Sequence, residues 1–344
     1  MGLLVEGSST NLLNRSEEFD NAYWSKPTGT TVTTNVAVAP SGELAGDLVV
    51  ADSDGSTITR QIAKAFAFTS GTTYTLSVYV KAAGYTRFWL RAGNPAVWGT
   101  STEFTLTGSG SASVLSGYGQ IQACGNGWYR CSVTETAASS ATTNLLLSLA
   151  DNSGNLTFDG DGYSGVLLWG AQMEAASFAS SYIKVEGSTV TRAADSAAMV
   201  NSSLFDNGGG TLYAEASRNA ITTYNGIFSV DDGSGSNIVQ MFGNSNNFRA
   251  EIGSGGTTVA NMSATGHTAG TFHKHCVSFS PTEAKYYVNG SQIGSTDTDL
   301  NIPVMTQIHL GALNTSGNHL NGHIKRVAVF SEPVSATNAA ALTS

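Results

Sequence analysis

Short runs in which apolar and polar residues alternate one for one, separated by clusters of Gly, Asn and Asp, recur along this 344-residue chain. Tyr74, Leu76, Val78 and Val80 alternate with Thr75, Ser77, Tyr79 and Lys81. Phe88 and Leu90 sit between Arg87, Trp89 and Arg91, and Tyr129, Cys131 and Val133 between Trp128, Arg130 and Ser132. Leu145, Leu147 and Leu149 repeat the pattern. Successive side chains of a strand point to opposite faces, so each run predicts a β-strand with one buried face. Gly125-Asn126-Gly127 and Asp159-Gly160-Asp161-Gly162 supply turns between them. Short strands at regular spacing predict an all-β fold built of β-sandwiches.

Composition agrees and excludes several functions. Charged residues make up 12%, against a usual share of roughly 25%. Polarity comes instead from Ser, Thr, Asn and 39 glycines, while 41% hydrophobic residues, with 14 Phe, 12 Tyr and 5 Trp, suffice for real cores. The length accommodates two ordinary domains. A net charge of −9 argues against binding nucleic acid, whose phosphates attract Lys and Arg. No apolar run approaches the ~20 residues that span a bilayer, so membrane insertion is not expected. Met1-Gly2-Leu3-Leu4-Val5-Glu6 lacks the basic and long apolar regions of a secretory signal. That fits a protein made in the cytoplasm and released by lysis, and equally one whose signal has been removed. Three cysteines give no disulfide framework, and Cys131 and Cys276 read as small buried hydrophobes.

The stretch from Trp169-Gly170-Ala171-Gln172-Met173-Glu174 to Thr191-Arg192-Ala193-Ala194-Asp195 closes one pattern and precedes another. It predicts a first domain over 1–185, a linker over 186–204 and a second domain over 205–344. In the second, strands are expected at 211–217, 226–230, 237–242, 248–252, 257–262, 272–279, 284–288, 307–310 and 323–330. Asn289-Gly290 is a hairpin turn, since both residues tolerate positive φ. Ser335 is an N-cap candidate for a short closing helix over 336–342.

Binding candidates stand where polar strand faces carry large aromatics. Tyr79, Trp89 and Trp128 are flanked by Arg87, Arg91 and Arg130, and Trp98 falls in the loop Asn94-Pro95-Ala96-Val97-Trp98-Gly99. Aromatic rings suit the apolar face of a sugar, and guanidinium groups offer forked donors to hydroxyls or carboxylates. The alternative is that the tryptophans are core residues or stack on the arginines within the fold. All six histidines lie in the second domain, and His273 and His275 share a strand face. With a third ligand from a neighbouring strand they would chelate a metal; the other reading is structural. Asp231-Asp232, Asp297 and Asp299 are loop carboxylates where calcium is conceivable.

The first domain resembles phage-borne relatives of family 4/9-type carbohydrate-binding modules. The resemblance rests on Asn11-Leu12-Leu13-Asn14-Arg15-Ser16-Glu17-Glu18-Phe19, Trp24, Tyr74–Val80, Gly127-Trp128-Tyr129-Arg130 and Trp169-Gly170-Ala171-Gln172. The second resembles laminin-G/concanavalin-like domains through Thr271-Phe272-His273-Lys274, Tyr286-Tyr287-Val288-Asn289-Gly290, Ile308-His309-Leu310-Gly311 and Gly322–Phe330. The tandem is similar to structural proteins of tailed bacteriophages. It implies two jelly-roll domains with a short C-terminal helix, in a homotrimeric virion fibre or spike that contacts other virion proteins and host-surface glycan. It also implies that a structural calcium is possible, for which Glu17, Glu18, Asp20, Asp159 and Asp161 are the nearby carboxylates; turn chemistry accounts for the Asp-Gly-Asp-Gly run without one. No cofactor is required.

Catalysis finds less support. Retaining glycosidases place two carboxylates ~5–5.5 Å apart, and the E-x-D-x-x-E pattern of laminarinase-like enzymes is absent. Glu215, Glu251, Glu283 and Asp299 stand alone, and neither Gly-x-Ser-x-Gly nor His-Glu-x-x-His occurs. The expectation is a non-catalytic virion adhesin for host polysaccharide. The alternatives are a structural spacer and a polysaccharide depolymerase.

Overall fold

The alternating runs become strands of facing sheets. The computed structural model describes residues 2–200, 205, 208–221, 223–298, 300–302, 304–314 and 318–344. It divides into two units, Ser9–Arg192, and Met1–Ser8 with Ala193–Ser344. Both are all-β, and every strand pairing is antiparallel.

In the unit Ser9–Arg192, one six-stranded sheet runs β11 (Tyr118–Gly125), β12 (Trp128–Thr136), β7 (Thr73–Ala83), β15 (Gly165–Glu174), β4 (Leu44–Ala51), β3 (Thr30–Val38). A five-stranded sheet runs β10 (Ser111–Ser116), β9 (Ser101–Thr105), β8 (Arg87–Ala92), β13 (Thr142–Ala150), β6 (Gln61–Ala67). Two small pairs complete it, β14 (Thr157–Phe158) with β5 (Ile58–Thr59), and β16 (Val190–Arg192) with β2 (Ser9–Asn11). Leu76, Val78 and Val80 of β7 and Cys131 and Val133 of β12 share one core with Phe88 and Leu90 of β8 and Leu145, Leu147 and Leu149 of β13. Trp98, expected to be available on a loop, is fully buried in this core. Its ring stacks 5.1 Å from that of Phe68, and its Nε1 donates to Glu135 O at 2.8 Å. The loop's backbone is on the surface, but its one large apolar side chain turns inward.

The second unit pairs two six-stranded sheets. One runs β1 (Leu3–Val5), β27 (Gly322–Phe330), β18 (Gly210–Arg218), β23 (His273–Phe279), β24 (Glu283–Val288), β25 (Ser291–Thr298). The other runs β17 (Ala198–Val200), β26 (Gln307–Leu310), β19 (Asn225–Asp231), β20 (Ile238–Asn244), β21 (Asn247–Ser254), β22 (Thr257–Thr265). Leu212, Phe228, Val239, Met241, Ile252, Val277 and Tyr286 are among its core residues. Asn289 (φ 47°) and Gly290 (φ 82°) form the expected two-residue turn between β24 and β25. Helix α1 (Ala336–Thr343) is capped by Ser335, whose side chain accepts from Asn338 N.

The expected boundaries need correction. Residues 1–8 belong to the second unit, because Leu3 pairs with Ile324 and Val5 with Gly322, extending that sheet by an edge strand. Val5 is 1% exposed. Gly311, at φ 69°, passes it so closely that a Cβ would come within 2.7 Å. Part of the expected linker is also paired strand: Val190–Arg192 pairs with Ser9–Asn11, and Ala198–Val200 with Gln307–His309. Its last residues, 201–204, lie outside the described residues. Three-residue strands carry too little periodicity to be read from sequence. Cys124, Cys131 and Cys276 are all free; Cys131 and Cys276 are buried, and burial pushes the Cys276 thiol up to about 12.

One end of the second core is polar. Arg218 closes β18 fully buried, donating from Nε to His267 Nε2 at 3.0 Å, from Nη1 to Asn225 Oδ1 at 3.1 Å and from Nη2 to Ser245 O at 2.7 Å. His273 and His275 face the same interior, with His275 Nδ1 2.7 Å from Tyr286 Oη and the ring of Phe248 against all three histidines. Among the described residues no group of three or more His, Cys, Asp or Glu is arranged to hold a metal.

Desolvation lowers all three imidazoles, with charge repulsion from Arg218 adding to it. His267 falls to about 3, His273 falls below its usual value, and His275 falls well below it. An unfolded histidine titrates near ~6.5, so below that pH the unfolded chain binds more protons than the folded one. The stability of this unit is therefore full above about pH 6.5 and drains as pH falls towards about 3, by up to about 1.4 kcal/mol per pH unit for each such histidine. The midpoint of thermal unfolding should hold between pH 7.5 and 6.5 and fall steadily from there to pH 4.5, and His275→Gln, which keeps an acceptor for Tyr286, should flatten the slope. A midpoint independent of pH would contradict this account. Separately, Val5→Ala should destabilise this unit by about 2 kcal/mol, seen as faster amide exchange in β27 with β7 unaffected.

Candidate functional site

The seven residues expected to form one aromatic and arginine face are not on one face. Arg87, Trp89 and Arg91 point outward from β8 in the five-stranded sheet, while Tyr79 of β7 and Trp128 and Arg130 of β12 point outward from the six-stranded one. The inward residues of both sheets meet in the core, so these sets lie on opposite sides of the sandwich. Trp98 is inside it.

On the five-stranded side the donors are engaged within the fold. Arg87 Nη1 donates to Glu103 Oε1 at 2.9 Å, and Arg91 reaches Ser148 Oγ at 3.2 Å and Gln61 Oε1 at 3.0 Å. Trp89, 9% exposed, lies between Ser148 and Glu103 in register, and its buried Nε1 has no hydrogen-bond partner. On the other side Trp128 is 2% exposed and its Nε1 donates to Val38 O at 2.9 Å. The β3–β4 hairpin lies across it, with Ala39 and Ala45 in the same small cluster. Arg130 sits 5.3 Å from the Tyr79 ring centre and donates to Ser77 Oγ at 3.0 Å.

Sequence reasoning missed Trp169 and Tyr182, whose rings lie 5.0 and 6.2 Å from that of Tyr79 and 4.4 Å from each other. Gly170 (φ 63°) sits at a bulge in β15; a Cβ there would come within 3.0 Å of Tyr79 and 3.1 Å of Tyr182. The signal was in the Trp-Gly-Ala-Gln motif, which serves packing.

The carboxylates near the start of this unit line a cleft of about 360 Å³ with Glu43, Asp47, Lys184 and Glu186. Asp47 accepts from Phe19 N at 3.0 Å and Asn35 N at 2.9 Å; burial raises its pKa to about 6 against those bonds. Glu17 accepts from Tyr182 Oη at 2.7 Å, and Glu18 pairs with Arg15 at 2.9 Å. Asp161 accepts from Tyr163 N and Ser164 N within its own turn, whereas Asp159 accepts from the distant Gly55 N and lies 3.5 Å from Arg60 Nη2. Asp297 accepts from Asn261 N at 2.8 Å, and Asp299 lies outside the described residues.

The second unit holds the arrangement best suited to a ligand. On β26 and β19, Ile308 and Val230 point into the core, so His309 and Asp231 point to the outer face. That face of β19 is covered: Ser229 Oγ donates to Ala312 O at 3.0 Å and accepts from Asn314 N at 3.3 Å. The segment after Arg192 crosses nearby, fixed by Glu6 N to Asp195 Oδ2 and Asp195 N to Glu6 O, each 2.9 Å. Between them opens a cleft of about 300 Å³ lined by Asp195, Ser196, Gln307, His309, Asn314 and His319 over a floor of alanines. His309 Nε2 lies 3.1 Å from Asp231 Oδ2, close but not aligned for a hydrogen bond, and both side chains are nearly fully buried. His319 Nε2 lies 3.0 Å from Asp195 O. The site offers amides, imidazoles and a carboxylate, with Gln307 and His309 on β26 and Asp195, Asn314 and His319 on the segments beside it, the mixture that orients hydroxyl groups.

Residues 192–340, under half the chain, match the family model of the Concanavalin A-like lectin/glucanases superfamily. No curated protein matches. Solved structures similar to the chain include the CBM40 of the Ruminococcus gnavus IT-sialidase bound to α2,3-sialyllactose, at 14% identity and TM-score 0.34, covering 40% of this chain and 83% of that one. Sheep galectin-11 in complex with glycerol is 11% identical, TM-score 0.29, over 40% and 99% of the two chains. The botulinum neurotoxin type G receptor-binding domain is 12% identical, TM-score 0.31, over 39% and 37%. At these scores none of the three bears on function.

Because its neighbours are internal, Trp89→Ala should lower the unfolding free energy of the first unit by about 3 kcal/mol. Glycan affinity of the folded fraction should be unchanged. Weakened binding with unaltered stability would restore Trp89 as a contact.

Proposed function

We propose that this protein is a non-catalytic adhesin of a virion surface that binds host-surface polysaccharide through the cleft of its second unit. The observation that carries this reading is that a polar cleft lies wholly inside the stretch that matches a lectin/glucanase family model. Support for a binding role over a catalytic one comes from the acids of this unit: Glu215 faces Lys325, Glu251 faces Arg249 and Glu283 faces Lys285, each paired with a cation instead of a second acid. The virion setting, trimeric assembly and contact with other virion proteins rest on the order of motifs resembling tailed-phage proteins. One shallow cleft per chain would bind weakly, and display of several copies raises avidity. The reading needs no metal or cofactor.

The test is titration of the purified chain against a panel of host-type surface polysaccharides, with product analysis. Saturable binding without chain shortening is expected, weakened at least tenfold by Gln307→Ala and abolished by Ala198→Trp, which fills the cleft from an exposed edge position. Released oligosaccharide would make the protein a depolymerase. A folded chain that binds nothing on the panel would make it a spacer.

A further inference from the structure

We infer that the cleft over β26 selects an uncharged sugar unit and discriminates against sialic and uronic acids, an inference that rests on the glycan-binding reading above. A carboxylate-bearing sugar leaves water at a cost that a guanidinium or ammonium group offsets most strongly. No Lys or Arg is among the described residues that line the cleft, whereas Asp195 is. A second carboxylate, Asp231, lies directly behind His309. The whole chain carries a net charge of −9, so the long-range field also opposes an anionic ligand.

What the lining does supply matches hydroxyl groups. Gln307 and Asn314 each bring an amide with donors and an acceptor. His309 adds an imidazole, with Asp231 Oδ2 3.1 Å behind its Nε2. Two glycines leave room for the side-chain amides. A Cβ on Gly233 would come within 2.9 Å of Gln307 Nε2, and one on Gly235 within 2.8 Å of Asn314 Nδ2. Alanines 197, 198 and 312 give an apolar floor for the carbon face of a ring. The volume, about 300 Å³, is at the lower end of the roughly 300–1,000 Å³ typical of small-molecule pockets, and suits a terminal or branch sugar.

The experiment uses the full chain and matched pairs that differ by one carboxylate: lactose and 3′-sialyllactose, and neutral and uronic-acid oligosaccharides of equal length. Binding is read by calorimetry at pH 7.5 and at two ionic strengths. The neutral member of at least one pair should bind at least tenfold tighter than its acidic partner, the gap narrowing with salt. Asp195→Asn, which keeps the acceptor for Glu6 N, should bring the acidic member several-fold closer. Tighter or equal binding of the acidic members, lost in Ala198→Trp, would overturn this inference while leaving the glycan-binding function standing. Absence of binding to every pair would overturn both.

Discussion

Each unit depends on one strand that is buried on both of its faces. In the first it is β15, and in the second β19, where every residue from Asn225 to Asp231 is buried. A sandwich strand ordinarily gives one face to the core and the other to water. When chain crosses the second face as well, every polar group beneath must find a partner, since an unsatisfied buried group costs about 1–3 kcal/mol. In the first unit two buried amides do this. Asn11 Nδ2 donates to Ala171 O and Ile183 O, and its Oδ1 accepts from Leu13 N and Met173 N, at 2.9–3.2 Å. Gln172 Oε1 accepts from Ile183 N at 2.7 Å while its amide reaches Ser180 and Ser181. In the second unit Ser229 and Asn225 take the same part beneath Ala312 and His319. The covering segment builds one wall of the cleft, so the same constraint that burdens β19 also makes a site.

This explains which parts of the fold were legible. Half-buried strands such as β7, β8, β12 and β13 announce themselves by strict alternation, and turns such as Asn289-Gly290 by residues that accept positive φ. β15 reads Gly-Val-Leu-Leu-Trp-Gly-Ala-Gln-Met-Glu, with no period of two, because both faces are covered and a bulge at Gly170 resets the parity. That stretch marked a change of pattern in the sequence, yet it is a central strand. The N-terminal β1 was unreadable for a different reason. Three residues carry no period, and its partner Gly322–Phe330 lies more than 300 residues away, a distance at which pattern says nothing about pairing.

The binding candidates were misplaced by a related ambiguity. Alternation tells which side chains point out of a sandwich but not out of which sheet. Tyr79 and Trp89 are ten residues apart and both outward, yet β7 and β8 belong to different sheets, so their side chains emerge on opposite sides. Outwardness also failed to mean exposure: the hairpin from β3 to β4 covers Trp128, and an ion pair and amide contacts close over Trp89's neighbours. His309 was quoted only as part of a motif, Ile-His-Leu-Gly. Its partner Asp231 is 78 residues earlier, and their juxtaposition follows from β19 and β26 being neighbours in register.

The polar end of the second core and the cleft are physically continuous. Arg218, held by His267, donates to Asn225 Oδ1; the Nδ2 of the same amide donates to His319 O at 3.2 Å, and the ring of His319 lines the cleft against Asp195. Asn225 therefore orients the backbone of a cleft residue with one end and satisfies a buried cation with the other. An apolar residue at 218 would leave that amide half paired and the 319 segment without its anchor. The buried arginine is costly where a hydrophobic side chain would pack more cheaply, and its place in this chain of bonds gives it a role an apolar side chain lacks. Continuity becomes coupling only where an element has two arrangements. Protonation of His267, which burial and the neighbouring Arg218 hold off until about pH 3, would take away the acceptor for Arg218 Nε and place two cations together.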